Sequence, residues 1–215
     1  MAISLPNGAL VAIASGYTAA TATFTSVSNA APPAVLVTNT FTTGDFVEVT
    51  SAWSRLTNKI VRLASASGTG FSLEGIDTAL TSIYPAAGGL GTARKVSGWT
   101  QLSQILSSSS SGGEQQFLEY QLLEGDAQKR IPTVKSAAGL SFSVADDPTL
   151  AGYILASVAN DDRLPRAVRI TLPSGAVLVY NAYISLNKTP SLSVNEIMAV
   201  EVTLSLLAEP VRYAS

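Results

Sequence analysis

Two pairs of adjacent aspartates, Asp146–Asp147 and Asp161–Asp162, are the strongest candidates for chemistry in the sequence. Paired carboxylates can ligate Ca²⁺ or serve as an acid and a base in hydrolysis. Both pairs flank a segment with helical spacing, where acidic and amide side chains commonly cap the ends of a helix. We therefore interpret them as structural residues and predict no metal site.

Other patterns that could support catalysis lack the neighbours that the chemistry requires. The chain has no histidine and no cysteine, which excludes Ser-His-Asp and Cys-His arrangements and zinc sites built on those ligands. Ser185 and Lys188 match the SxxK pattern, but in a strand this spacing places the two side chains on opposite faces. Gly88–Gly91 lacks the Lys-Ser/Thr that completes a phosphate-binding loop. The sequence predicts no catalytic or cofactor-binding residue, no cofactor, and a protein that is not an enzyme.

The charge content points away from nucleic-acid readers and towards protein contacts. Lys and Arg total 13 against 15 Asp and Glu, so the net charge is −2 and no basic groove is expected. Only 13% of the residues are charged, about half of the roughly 25% that is usual. Met1–Gly44, Val96–Gly113 and Ile170–Asn187 carry no charge. We predict that much of the surface meets other protein; a Ser/Thr/Ala-rich solvated surface is the alternative.

The N-terminus and the hydropathy argue against export and membrane insertion. The opening MAISLPNGALVAIASG lacks a basic start, and Pro6 and Gly8 interrupt its apolar run. No window approaches the roughly 18 apolar residues of a membrane-spanning helix. We expect an intracellular product without membrane contact and without disulfides.

Strand-like runs separated by turn residues predict an all-β fold, a sandwich or barrel, with one flanking helix. Gly68–Gly70 and Pro173–Gly175 are typical turns. The predicted strands are 34–39, 45–50, 59–66, 70–75, 94–100, 115–123, 131–134, 140–145, 168–172, 176–186 and a closing pair within 191–215. We predict one domain, 1–215, subdivided into an N-terminal β module, 1–97, and a core, 98–215.

One segment has helical rather than strand spacing. Leu150, Ile154 and Val158 recur at helical intervals, Asp147 suits an N-cap and Pro148 suits the first helical position, which predicts a helix over about 148–160. A second short turn is expected around 78–83.

The serine run and the aromatic residues allow two further predictions. Ser107–Gly113 is interpreted as a flexible loop between strands. The aromatic residues on or beside strands are expected to pack in the core, the alternative being an exposed carbohydrate platform. They are Trp53, Trp99, Phe117, Phe142, Tyr180 and Tyr183.

The second half of the chain resembles the tail tube (major tail) proteins of long-tailed bacteriophages. The resemblance covers about residues 98–215 and rests on three features: the turn Leu172–Ala176, the following strand with Tyr180–Tyr183, and an end at Leu207–Pro210. The opening MAISLPNGALVAIAS and the stretch GDFVEVTSAWSRLTNKIVRL are similar to this family as well, though less distinctively.

The resemblance implies a β-sandwich with one flanking helix, six copies of which form a ring. Sheets of neighbouring copies would join into an inner barrel, and stacked rings would form the tube through which DNA leaves the head. Implied partners are further copies of the chain, the tape measure, tail terminator and baseplate proteins, and DNA in non-specific passage. The implied location is the phage tail of the virion, assembled in the host cytoplasm. A head decoration or baseplate subunit is the alternative, and a carbohydrate-binding β-sandwich is a more distant one.

The resemblance to tail tube proteins leads us to predict which residues face the lumen and which form contacts between copies. Candidate lumen-facing carboxylates, which would repel phosphate, are Glu114, Glu119, Glu124 and Asp126; the alternative is an ordinary solvated strand face. Contacts between copies are expected from the uncharged first 44 residues and the loop 107–113. The residues named for these contacts are Ser107, Gly112, Gly113, Leu204, Leu206 and Tyr213.

Overall fold

A computed structural model describes residues 7–214 and shows a mostly β protein with one helix in that range. The elements are β1 (Leu10–Phe24), β2 (Ala34–Leu36), β3 (Phe46–Ser51), β4 (Lys59–Ser67), β5 (Gly70–Leu73), β6 (Gly91–Leu102), β7 (Ile105–Ser111), β8 (Gln115–Tyr120), β9 (Lys129–Lys135), β10 (Gly139–Ala145), α1 (Ala151–Asp162), β11 (Arg166–Thr171), β12 (Val177–Asn187), β13 (Ala199–Leu206) and β14 (Val211–Tyr213). The predicted all-β class with one helix is therefore confirmed. No helix within residues 7–214 has the length and apolarity needed to cross a membrane.

Most strands belong to one long antiparallel sheet. Its order is β2-β5-β4-β3-β6-β1-β11-β12-β13-β10-β7, with β14 added beside β12. The strands β8 and β9 form a separate two-stranded hairpin. Such a long twisted sheet folds over on itself, so that its apolar side is buried in more than one place.

Two apolar cores fill the folded sheet. The first core lies among β3, β4, β5 and the second half of β1, and includes Val47, Leu63 and Phe71. The second core lies between α1 and the strands β10 to β13. β1 and β6 contribute to both cores, and the boundary predicted at 97/98 falls inside β6.

Strand β1 was not predicted, although it lies in the middle of the sheet. It pairs with β6 along most of its length and with β11 at Leu10–Ile13. Its sequence, LVAIASGYTAATATF, is rich in Ala, Thr and Gly, residues that give a weak strand signal. Val11–Ala14 are buried in the chain itself, so this part of the uncharged first 44 residues is not a contact surface. Residues 1–6 of that segment lie outside the described residues.

A buried polar network joins five strands. The Glu48 carboxylate on β3 is 8% exposed and accepts hydrogen bonds from Arg94 Nε at 3.1 Å and from Asn181 Nδ2 at 3.0 Å. The Arg94 guanidinium also stacks on the Tyr17 ring at 4.0 Å. Burial raises the pKa of Tyr17 to about 12, and its hydroxyl accepts a hydrogen bond from Ala167 N at 2.8 Å. The network connects β1, β3, β6, β11 and β12.

Helix α1 begins later than its sequence pattern predicts. Asp147 is not the N-cap: its Oδ1 accepts hydrogen bonds from Thr149 N at 3.0 Å and Thr149 Oγ1 at 2.6 Å, which closes a turn ahead of the helix. Leu150 takes the N-cap position, with extended backbone and no side-chain hydrogen bond. The helix ends at Arg163, which adopts a left-handed conformation with φ 56°.

The buried face of α1 is also not the predicted one. Ile154 and Val158 are 50% and 47% exposed, whereas Gly152, Ala156 and Ala159 are buried. Small side chains allow the helix backbone to approach β6 closely. A Cβ at position 152 would lie 2.4 Å from Gln101 O.

Gly152→Ala is therefore expected to destabilise the protein, although the same change stabilises an ordinary helix by about 1 kcal/mol. The added methyl group must push α1 away from β6, at a net cost of about 1–3 kcal/mol. Chemical denaturation of the variant and of Val158→Ala measures this, and the control, on the exposed face, should change the free energy of unfolding by less than about 0.7 kcal/mol. An unchanged or increased stability of Gly152→Ala would disprove the close packing.

Two further predictions about local structure are wrong. Ser107–Ser111 is not a loop but belongs to β7, which pairs with β10. The loop there is shorter and contains Gly112 and Gly113, both with positive φ. In the C-terminal segment the strand begins at Ala199, so the apolar Leu192, Val194 and Ile197 lie in the preceding loop and are 65–90% exposed.

The short turn expected around 78–83 is present as a single helical turn at Leu80–Tyr84.

Candidate functional site: a hydroxyl-lined sheet face and a free strand edge

The end of the sheet formed by β12, β13, β10 and β7 has two very different faces. One face is apolar and packs on α1 and the second core, with Phe142, Val202 and Ile184 all under 5% exposed. The other face carries mainly small hydroxyl side chains, because serine or threonine alternates with apolar residues in β10 and β13, and β12 adds Ser185 between Tyr183 and Asn187. We call it the hydroxyl face.

The hydroxyl face is continuous across the four strands. Residues directly opposite each other in the register form cross-strand rows. The rows are Ser107–Ser143–Glu201–Asn187, Ser109–Ser141–Thr203–Ser185 and Ser111–Gly139–Ser205–Tyr183. The Ser141 and Thr203 hydroxyl oxygens are 3.3 Å apart. Glu201 is the only charged member of these rows.

Strand β7 leaves one side of its backbone without a strand partner in residues 7–214. Ala145 N donates to Gln104 O on the β7 side of β10, and Ala138 O accepts from Leu206 N on the β13 side. Because backbone groups in an antiparallel strand point alternately to either side, Ser107, Ser109 and Ser111 bond to β10. Ser108 and Ser110 consequently direct their N–H and C=O groups outward. An open edge of this kind is a template for another strand.

The opposite end of the four-stranded sheet is open as well. Strand β11 pairs with β12 only as far as Ala182, and β13 occupies the other side of β12 from there onward. In the part of the chain that the structure describes, β12 has no strand partner on this side at 183–187. Ile184 and Leu186 are buried there, and Leu186 N donates to Asn160 Oδ1 on α1 at 3.2 Å.

The hairpin of β8 and β9 has two exposed faces, both of them partly apolar. Phe117 and Pro132 lie on one face, and Leu118 and Ile131 on the other. Phe117, Leu118 and Ile131 are 47–58% exposed, and Leu123 at the tip is fully exposed. A two-stranded hairpin is at best marginally stable alone in water. We therefore expect these apolar side chains to be buried against another protein surface.

The four predicted lumen-facing acids all lie on this hairpin rather than on the hydroxyl face. Glu114 is at its base, where Ser136 N donates to Glu114 O at 2.9 Å. Glu119 forms an ion pair with Arg130 at 2.5 Å, which compensates its charge. Glu124 and Asp126 lie in the tip between the two strands. Their orientation towards a lumen stays a prediction.

The six residues named for contacts between copies divide into exposed and buried ones. Ser107 is exposed on β7, and Gly112 and Gly113 are exposed at the following turn. Gly112 has a φ of 70°, and a Cβ there would lie 1.9 Å from Ala137 O. These two constraints within the chain account for a glycine at this position, so it is not evidence of a contact with another copy. Leu206 is half-buried.

Two of the six residues predicted to contact other copies, Leu204 and Tyr213, are buried inside the chain. They are 1% and 3% exposed and belong to the second and first core, so they have no side-chain surface to offer a neighbour. Burial raises the pKa of Tyr213 to about 12, and its hydroxyl accepts a hydrogen bond from Arg62 N at 2.7 Å.

The residues considered for catalysis have structural partners. Lys188 Nζ pairs with Asp161 at 3.0 Å rather than with Ser185, and this contact lowers the pKa of Asp161. Among residues 7–214, no group of three or more Asp or Glu side chains is arranged to hold a metal ion. Of the aromatic residues, Trp53 and Phe142 are buried as predicted, whereas Phe117 and Tyr183 are about half exposed and lie on different elements.

The residues of the hydroxyl face were missed at the sequence level, although a signal was present. Ser141-Phe142-Ser143 and Thr203-Leu204-Ser205 alternate with period two, which indicates a strand with one polar face. What the pattern does not show is that these strands are neighbours.

A family model agrees with the predicted family. Residues 51–215 match the family described as phage tail tube protein. Among solved structures, a chain from the virion of a native gene transfer agent particle matches over 54% of this chain and 89% of its own, with 12% identity and a TM-score of 0.43. A chain from the sheath-tube complex of an extracellular contractile injection system covers 50% and 80%, with 18% identity and a TM-score of 0.37. The anti-feeding prophage cap covers 50% and 79%, with 21% identity and a TM-score of 0.36.

No match is found among curated proteins. The family match spans most of the chain, including the hydroxyl face, the free edge of β7 and the hairpin. The chain therefore belongs to the phage tail tube protein family, as a structural protein of the virion tail and not an enzyme.

Proposed function

We propose that this chain polymerises as stacked hexameric rings into the phage tail tube and that the tube conducts DNA during ejection. The observation that carries the proposal is the four-stranded sheet β12-β13-β10-β7, which is packed on its own core on one side, polar on the other, and open at both ends. In a monomer the backbone groups at both edges of this sheet have no strand partner. In a ring, the edge strands of neighbouring copies pair with each other.

The direction of the strands permits the same contact to repeat from copy to copy. Successive strands of the four-stranded sheet are antiparallel, so β7 and β12 run in opposite directions. A second copy placed head to tail brings its β12 antiparallel to the open edge of β7. Repetition of one such heterologous contact generates a closed ring if the rotation closes.

The size of such a ring suits a conduit. Six copies, the number implied by the family resemblance, times four strands give 24 strands. At about 4.8 Å between strands and a tilt of about 40°, the barrel would be about 50 Å across between backbones. Barrels of about 16 strands already enclose an aqueous channel.

The hairpin supplies a second contact, between stacked rings. Its apolar faces are exposed in the isolated chain and would be buried against another copy. The tape measure, tail terminator and baseplate proteins are proposed to meet the tube at its lumen and at its ends, and assembly is proposed to occur in the host cytoplasm.

The test is negative-stain electron microscopy of the purified chain across a concentration series, with light scattering. Hollow tubes of constant width are expected. Compact particles or flat sheets without a lumen, both alone and after addition of preformed tail ends, would overturn the proposal in favour of a decoration or baseplate subunit.

Leu118→Ser combined with Ile131→Ser is expected to raise the concentration needed for tube formation by at least about tenfold, because two apolar side chains worth about 1–2 kcal/mol each no longer become buried. Both side chains are already exposed in the monomer, so its free energy of unfolding should change by less than about 0.5 kcal/mol. Scattering titrations measure the first effect and denaturation the second.

Leu36→Ser is the matched control. This leucine is 78% exposed on β2, at the other end of the sheet order from β7. Equal effects of the two changes would show that exposed apolar area in general, and not the hairpin, supports assembly.

A further inference from the structure

We infer that the hydroxyl face forms the wall of the tube lumen and presents passing DNA with a nearly neutral surface of serine and threonine hydroxyls; this inference rests on the proposed function. If β12, β13, β10 and β7 form the inner wall, only one of their faces is available. The apolar face is covered by α1 and the second core within the same chain. The hydroxyl face is the uncovered one.

The hydroxyl face lacks the positive charges that would hold a polyanion such as DNA in place. Its cross-strand rows contain no lysine or arginine. DNA binds proteins without sequence preference mainly by exchanging its counterions for lysine and arginine, and this face offers none. Glu201 is exposed and has no ion-pair partner in the described part of the chain. Repeated around a ring, it would add a circle of carboxylates that repels phosphate.

The hydroxyl groups add a second property. Each serine or threonine hydroxyl donates and accepts hydrogen bonds and is neutral, so it keeps a layer of water bound to the wall. Phosphate groups make weak contacts with such a wall, and these contacts are equivalent from one row to the next. DNA therefore has no position in the tube at which it binds more strongly than elsewhere. The hairpin acids are less suited to this role, because Arg130 compensates Glu119 and Lys129 is the direct neighbour of Tyr120.

The cysteine-free sequence permits a direct test of which face points inward. Ser185→Cys places one thiol on the hydroxyl face, and Val158→Cys places one on the exposed side of α1, behind the opposite face of the sheet. Each variant is labelled with maleimide-coupled gold as a monomer, assembled into tubes with excess unlabelled chain, and imaged by electron microscopy. We expect gold from Ser185→Cys on the tube axis and gold from Val158→Cys along the outer rim.

The outcomes separate this inference from the proposed function. Absence of tubes from the unmodified chain, both alone and after addition of preformed tail ends, refutes the proposed function and the inference with it. Tubes that carry the gold of Ser185→Cys on their outer surface refute the inference alone. Should labelled Ser185→Cys fail to enter tubes, Thr203→Cys labelled with a small fluorophore after assembly replaces it, with access of a bulky quencher as the readout: quenching comparable to that of Val158→Cys overturns the inference.

A charge reversal tests the chemistry of the wall. Tubes of Glu201→Lys, assembled with short duplex DNA and then treated with nuclease, are expected to protect at least about ten times more DNA than wild-type tubes. Val158→Lys adds the same charge on α1, and DNA that it binds should be digested. Equal protection by wild-type and Glu201→Lys tubes would overturn the inference.

Discussion

Replacement of Ser110 by proline is expected to abolish tube formation while leaving the monomer folded. Ser110 is exposed on the edge strand β7, and its N–H points away from β10. Proline is tolerated at such edge positions because no hydrogen bond within the chain is lost. In a joined barrel the same position needs a donor and has no room for the pyrrolidine ring. A penalty of about 3 kcal/mol for each contact lowers association more than about 100-fold.

The measurements are electron microscopy and scattering for assembly, and thermal unfolding for the monomer. The Tm of Ser110→Pro should fall by less than about 4 °C, which corresponds to about 1 kcal/mol for a chain of this size. Ser110→Ala, which keeps the N–H, is the matched control and should form tubes like the wild type. Tubes of normal width from Ser110→Pro would show that the β7 edge is not the contact between copies.

Replacement of Glu48 by alanine is expected to cause the largest loss of stability of any charge removal in the chain, about 2–3 kcal/mol, mainly through the buried amide that it leaves unsatisfied. The Glu48 carboxylate accepts hydrogen bonds from Arg94 and from the Asn181 amide, which is 1% exposed. Asn181 Oδ1 already lacks a partner among residues 7–214. Without Glu48 the whole amide would be buried and unsatisfied, and Arg94 would lose its counter-charge beside the Tyr17 ring.

Glu74→Ala is the matched control, because Glu74 also pairs with an arginine that stacks on a tyrosine. The Arg62–Glu74 pair is 2.5 Å long, and its side chains are 27% and 36% exposed. Water can replace the lost carboxylate there, so the cost should be at most about 1 kcal/mol. Urea denaturation of both variants measures the difference. A difference below about 1 kcal/mol would mean that burial of Glu48 contributes little to the stability of the network.

The two predictions concern different levels of organisation. Glu48 connects β3, β6 and β12 inside one chain, whereas Ser110 lies where one chain would meet the next. Glu48→Ala should therefore lower assembly only through the fraction of unfolded chain. Ser110→Pro should lower assembly without unfolding.

Much of the fold was predictable because local patterns agree with it. Alternation of apolar and polar residues marks β10, β12 and β13, and Gly or Pro marks the turns at 68–70 and 173–175. The errors occur where local signals are weak or conflict with packing. β1 is central but poor in strongly strand-forming residues, and the serine run of β7 has the composition of a linker.

Helix α1 shows most clearly why the remainder could not be predicted. Its larger apolar residues, Ile154 and Val158, form a pattern typical of a buried face, yet they are exposed. The buried face consists of Gly152, Ala156 and Ala159, because a helix lying this close to β6 has room only for small side chains. The small residues at 152, 156 and 159 also recur at helical spacing, so the sequence offers two candidate faces. The distance between α1 and β6 decides which face is buried, and that distance is a property of the packed structure.

The sequence by itself determined the β class, the presence and approximate position of one helix, the absence of histidine and cysteine chemistry, and the low charge that points to assembly. These depend on composition and on contacts between near neighbours in the chain. Only the tertiary structure decided that Ser109, Ser141, Thr203 and Ser185 form one row, and that Leu204 beside them is buried. Residues so far apart in the chain meet through strand pairing, and the register of that pairing is set by the burial of the opposite face.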